Sequence, residues 1–205
     1  MFVTRHSNVT NLDLREKLWR LYEVSSHGSA GEAVTRATLF RDEFDDVLGN
    51  PANRLWVVWD DSVPVGCAAI ATDIASTRHL SRHYFERHYP DHMMRHAVHY
   101  VLWAVVHPSY VARGVWFKLA KEAFALEADE AALVVFDAPQ VTQPDETGGL
   151  AEMMAHLASV VSNGTPVRQI EVQRYFVADF ALGRRASGTR PATEPPARAT
   201  SNSLP

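Results

Sequence analysis

Val105-Val106-His107-Pro108-Ser109-Tyr110-Val111-Ala112-Arg113-Gly114-Val115-Trp116 joins two patterns, an apolar β-branched run and a helix headed by a glycine, through one short loop. Pro108 carries no backbone N–H and disfavours helix at the residue before it, so the run must end as a strand and the chain must turn. The first N–H groups of the helix that follows have no partner within it and form the positive end of its dipole. Such an end holds a phosphate or pyrophosphate without a lysine or arginine. Gly114 has no Cβ, which lets a ligand come close to the backbone there.

Upstream, residues 100–106 are all apolar or aromatic, as in a strand buried on both faces. Downstream, Leu119, Ala120, Ala123 and Leu126 continue at helical spacing. Residues 131–136 then give a short strand. Leu150, Met153, Met154, Leu157, Val160 and Val161 give a further helix ending near Asn163-Gly164, and residues 167–180 favour extended structure. Toward the N-terminus, residues 55–59 and 65–71 are β-rich runs joined by a turn-rich linker, and they read as antiparallel neighbours. Two helices precede them. One is expected over residues 12–25 after Asn11, and one carries Phe40, Phe44, Val47 and Leu48 on its inner side and Asp42, Glu43, Asp45 and Asp46 on a solvated outer side. After Gly183 only Arg, Ser, Thr, Ala and Pro dominate. A single domain over residues 1–182 followed by a disordered tail over 183–205 is therefore expected.

The 205 residues, 46% hydrophobic and 21% charged, suffice for one packed α/β core. A net charge of -4 and a pI near 6.2 argue against a nucleic-acid-coating protein. Cys67 is the only cysteine, which excludes an internal disulfide and a thiolate zinc site and fits a reducing cytoplasm. Neither a signal peptide nor a membrane span is read, and a homodimer is left open.

A strand ending in Val106-His107-Pro108, a short loop, Arg113-Gly114 and a helix resembles the acetyl-CoA-binding motif of the GNAT superfamily of N-acetyltransferases, and the order of elements over residues 2–180 resembles that fold too. The resemblance implies an α/β (α+β) architecture, a mixed and mostly antiparallel sheet flanked by about four helices, in which the motif strand and the next strand splay apart. It implies acetyl-CoA as acyl donor in that gap, with the pantetheine arm beside Val105 and Val106 and the pyrophosphate on the amides of Val111, Ala112, Arg113, Gly114, Val115 and Trp116. The acceptor would be a primary amine on a small molecule or a protein. Family members usually carry Gln or Arg where this chain has Val111, and Gly or Ala where it has Trp116.

Acyl transfer to an amine needs a neutral amine, a polarised carbonyl and a stabilised leaving thiolate. Where the family often places a carboxylate in the motif strand, this chain has His96, His99 and Tyr100; after the next strand it has Asp137 and no tyrosine. His99 is the first candidate base, since imidazole titrates near neutrality, and its structural alternative is a hydrogen-bonded core histidine. Asp137 stands where strands of such sheets present ligand-binding groups, or caps a turn. Tyr175 is the candidate acid, or a ring packed on the sheet.

His79, His83, His88, His92, His96 and His99 recur at spacings that open a metal-binding alternative, although no His-Glu-x-x-His arrangement occurs. The other expectation for this stretch is a helical insertion bearing Arg82, Tyr84, Phe85, Arg87 and Tyr89 over the acceptor side of the cleft. A third alternative keeps the fold without turnover, as a ligand- or protein-binding module. It rests on Val111, Trp116 and the absent acid/base pair.

Overall fold

The β-rich runs on either side of Asp61 and Ser62 fold as the expected hairpin, β2 (Asn53–Asp60) and β3 (Val63–Ala71), with Asp61 in the left-handed region at φ 53°. The computed structural model describes residues 1–26, 38–138, 149–162 and 164–173. The hairpin lies at the centre of a five-stranded sheet. Its order is β1 (Phe2–His6), β2, β3, β4 (Val98–Val106) and β5 (Leu133–Val135). The first four strands are antiparallel and β5 runs parallel to β4. The sheet is thus mixed and mostly antiparallel.

Among the described residues the longer helices are α1 (Leu12–Ser26), α2 (Arg41–Gly49) and α5 (Val115–Asp129), which flank the sheet, and α6 (Leu150–Val161), which contacts α5. The histidine-rich connection forms two short helices, α3 (Arg82–His88) and α4 (Pro90–Met94), with Phe85 buried beneath them. β1 is not foreseen from sequence, because Thr4 and Arg5 interrupt its apolar residues. It pairs with β2 along its whole length at the sheet edge.

The sheet separates two cores. On one face α1 and α2 bury Leu18, Tyr22, Phe44 and Leu48 against Leu55, Val57, Cys67 and Ala69. On the other, α5 buries Val115, Leu119 and Ala123 against Val58, Val65, Ala68, Ile70 and Val106. Both faces of the central strands are covered, which explains why those strands read as continuous apolar runs. In β4 the pairing shifts between Ala69↔Trp103 and Ile70↔Val101, leaving Leu102 as a bulge. Leu102 and Trp103 accordingly both join the α1 face, while Val101 and Ala104 join the α5 face.

Chain contacts divide the protein into two units, Met1–Gln169 and Ile170–Pro205, and all these elements lie in the first. Residues 167–173 join no strand. The rest of the expected closing strand, and the boundary expected at residue 183, lie outside the described residues.

Candidate functional site

β4 has different neighbours on its two edges. Toward β3 it is paired over residues 100–106, whereas toward β5 the register stops after Val98↔Leu133, His99↔Val134 and Tyr100↔Val135. Beyond Tyr100 the strand has no partner on the β5 side among the described residues. Residues 101–105 are half-buried, in contrast to buried Val98, His99, Tyr100 and Val106. An unpaired strand edge offers alternate N–H and C=O groups to an extended ligand.

β4 leads directly to the loop. His107 donates its N–H to the Val65 carbonyl at 2.9 Å, and its ring Nδ1 accepts from the Ser109 N–H at 3.2 Å. A 3₁₀ helix over Pro108–Arg113 then carries the chain to Gly114, which is left-handed at φ 71° and starts α5. Tyr110 fastens this turn to the hairpin by donating to Asp60 Oδ2 at 2.9 Å, and the Arg113 guanidinium lies 4.7 Å from the Tyr110 ring centre. The accepting Asp60 carboxylate raises the Tyr110 hydroxyl above the ordinary tyrosine range.

The start of α5 differs from those of the other long helices. α1 has Asn11 accepting from the Leu14 N–H at 2.9 Å, and at α2 Glu43 reaches back to the Phe40 N–H at 2.8 Å. α6 carries Glu152 in its first turn. α5 has neither a side-chain cap nor an acidic residue in its first turn. Val111, Ala112, Arg113 and Gly114 are exposed, and a Cβ built on Gly114 meets nothing within 4 Å. Val115 is fully buried and Trp116 packs on the α5 core, so the indole turns into the protein and not over the loop.

The candidate catalytic residues occupy two different places. His99 is buried on the α5 side, where its Nδ1 meets the carboxylate of buried Glu127. Arg54 reaches the same Glu127 at 3.1 Å and chelates Glu130 at 2.7 and 2.8 Å. Among the described residues, His99, Glu127 and Glu130 are the group of metal-ligating side chains close enough to share an ion, and the Arg54 guanidinium already sits there as their cation. The other histidines of that stretch scatter: His83 bonds Glu86, His88 lies tilted against Tyr84, and His92 meets Tyr89 edge-on.

Asp137 follows the end of β5 and is exposed. Its Oδ1 accepts a hydrogen bond of 2.5 Å from the hydroxyl of Tyr100, the last β4 residue paired to β5. Burial first, and then this bond, push the Tyr100 hydroxyl far above the ordinary tyrosine range, so it stays a donor. Tyr100, Glu127 and Arg54 are the residues sequence reading leaves without roles, since their partners lie tens of positions away. Tyr175 lies outside the described residues. A separate cavity of about 270 Å³, lined by Trp19, Tyr22, Leu39 and Phe40 among others, shares no residue with β4, β5 or α5.

No family model matches the chain, and no curated protein matches its sequence. Solved structures of N-acetyltransferases resemble its arrangement of elements. An aminoglycoside acetyltransferase from an uncultured soil metagenomic sample, in complex with sisomicin, is 14% identical with a TM-score of 0.48, over 86% of this chain and 95% of that one. The aminoglycoside acetyltransferase AAC(6')-Iy, in complex with a bisubstrate analogue, is 12% identical with a TM-score of 0.47, over 86% and 100%. The ribosomal-protein-S18-alanine N-acetyltransferase of Escherichia coli is 7% identical with a TM-score of 0.47, over 78% and 77%. None of the helices in the described residues is long and apolar enough to cross a membrane.

Proposed function

We propose that this protein is an acyl-CoA-dependent N-acyltransferase that takes acetyl-CoA as donor and the primary amine of a small molecule or protein as acceptor. The observation that carries the reading is the conjunction of two features of this chain: the one-sided pairing of β4 beyond Tyr100, and the uncapped, acid-free start of α5 to which β4 leads. The residues present fit such a donor. The open edge around Val105 and Val106 suits the amide-bearing pantetheine arm, and the exposed loop 111–114 with the first turn of α5 suits the pyrophosphate. Because Trp116 packs inward, its backbone N–H can serve that turn while its ring supports the core. When bound, the thioester supplies an activated acyl carbon and a thiol leaving group.

In this reading Asp137 is the base, since its carboxylate is exposed beside the point where β4 and β5 part. His99 instead ties β4 to α5 through Glu127. Phe117, exposed in the first turn of α5, provides the test. Phe117→Asp places a carboxylate at the positive end of the helix, which stabilises it by about 0.3–1 kcal/mol while competing with a bound phosphate. Calorimetric titration should show acetyl-CoA binding to the wild type and at least tenfold weaker binding to Phe117→Asp, with the variant's melting temperature equal or higher. A wild type unaffected by excess acetyl-CoA, where a bound ligand at about 100 times its Kd stabilises by about 2.7 kcal/mol, sinks the assignment.

A further inference from the structure

The connection between β3 and β4 runs against the chain's net charge of -4: residues 78–96 hold four arginines and five histidines against Glu86 and Asp91. The arginines of α1, α2 and β2 face carboxylates, Arg15 and Arg41 meeting Asp45, Arg20 meeting Glu16, and Arg54 meeting Glu127 and Glu130. On α3, Arg82 and His83 together hold Glu86. Among the described residues Arg87 makes no ion pair, Arg95 donates to the Glu130 and Ala131 carbonyls at 3.5 and 3.2 Å, and Arg168 donates to the Tyr89 hydroxyl at 2.9 Å. Arg5 and Arg113 also lack a carboxylate there, but each lies over a single ring, Trp56 or Tyr110. α3 and α4 instead carry a row of rings. Centre to centre, Tyr84 lies 4.6 Å from His88 and 6.5 Å from Tyr89, and Tyr89 lies 6.3 Å from His92. The Arg168 guanidinium sits 5.8 Å from the Tyr89 ring centre. Tyr84, Arg87 and His88, spaced at i, i+3 and i+4, share one face of α3. All three are exposed, as is Arg168, while Tyr89 and His92 are half-buried. Beneath the row, buried Phe85 packs with Ile74 and Val98, which fixes α3 on β4.

We propose that this row of rings, with Arg87 and Arg168 beside it, is a docking strip for single-stranded nucleic acid. A single strand offers phosphates to guanidinium groups and unstacked base faces to aromatic rings, and the strip presents both partners together. An acidic peptide supplies only the negative charge, and a duplex keeps its base faces stacked on one another, away from the rings. With Glu86 held by Arg82 and His83, Asp91 is the carboxylate left on these helices against Arg87, Arg95 and Arg168. The chain's net charge bears on coating of its whole surface and not on a local strip, because fields between exposed charges are screened within about 10 Å at 0.1 M salt. The proposal stands apart from the transferase reading, since no residue of the strip belongs to the open edge of β4, to loop 111–114 or to α5.

Fluorescence anisotropy tests this by titrating the full chain into labelled oligothymidylate and oligouridylate of about a dozen nucleotides, within the span of a small single-strand site. Binding of either strand upholds the proposal if it weakens as salt rises, with a log–log slope that falls by about 0.7 in Arg87→Gln and in Arg168→Gln, the share of one phosphate contact on a single strand. Tyr84→Leu should weaken binding about fivefold or more, and Tyr84→Phe should keep it, because the ring and not the hydroxyl stacks on a base. These substitutions change exposed side chains, so each variant should keep the wild-type melting temperature, which separates loss of the strip from loss of the fold. A duplex of equal length should bind more weakly by about fivefold or more, and polyglutamate at equal negative charge should displace the strand less well than unlabelled strand by a similar factor. No binding of either strand, equal binding of the duplex, or equal loss in Tyr84→Phe and Tyr84→Leu overturns the proposal. Displacement by polyglutamate as effective as by the strand itself also overturns it, and assigns the surface to an acidic protein instead.

Discussion

Two tyrosines and one arginine show how single side chains shape this molecule. Burial raises the Tyr100 hydroxyl above its ordinary value, and hydrogen bonding to Asp60 raises Tyr110. In both, folding favours the protonated form. The folded state therefore binds more protons than the unfolded one once pH passes the ordinary tyrosine value of about 10, and the stability present below that pH is lost as pH rises through the window above it. Urea denaturation at pH 8 and at pH 11 should show this loss, and Tyr100→Phe should reduce it. A loss of equal size in Tyr100→Phe would show that the buried hydroxyl does not contribute to it. Arg54 acts differently, because Glu127 and His99 are buried behind it. Arg54→Met strips a buried carboxylate of its guanidinium and should cost on the order of 3 kcal/mol in urea denaturation. A cost under about 1 kcal/mol, the range of exposed ion pairs, would place the network effectively in solvent.

Among the elements, β3 and the first turn of α5 meet closely at a glycine. A Cβ on Gly66 would lie 2.6 Å from Cγ1 of Val115, which is fully buried and, being β-branched, cannot swing aside. Gly66→Ala should therefore destabilise by about 1–3 kcal/mol, as overpacking does. Adding Val115→Ala, which alone leaves a cavity, should recover part of the loss, and a double-mutant cycle in urea measures the coupling. Strict additivity would show that the helix shifts freely on the sheet. The elements that sequence made legible are those whose residues declare themselves locally. Leu14, Leu18, Leu21 and Tyr22 give α1 its period, the β-branched runs around Asp61 and Ser62 give the hairpin, and Pro108 with Gly114 gives the loop. β1 was hidden because Thr4 and Arg5 spoil its pattern and only pairing with β2 makes it a strand. At the site, Pro108 and Gly114 made the loop legible, whereas the parting of the strands was an expectation from the family resemblance alone. That Asp137 is gripped by Tyr100, and that His99 faces Glu127, could not be read, since each bond spans a separation that no local period encodes.

For the molecule as a whole, the two cores make the sheet a partition, with α1 and α2 on one side, α5 on the other, and the proposed site at the edge where β4 and β5 part. That β4 is paired to β3 over residues 100–106 on one edge and, among the described residues, only at Val98–Tyr100 on the other gives it a signature in hydrogen exchange. Successive amides of a strand point to opposite edges. Through residues 101–106, slow amides bonded to β3 should alternate with fast ones facing the gap, and the alternation should slip by one position at Leu102, where the bulge resets it. A molecule seated in the gap would slow the fast set and leave the slow set unchanged, so the strand itself records whether the cleft is filled.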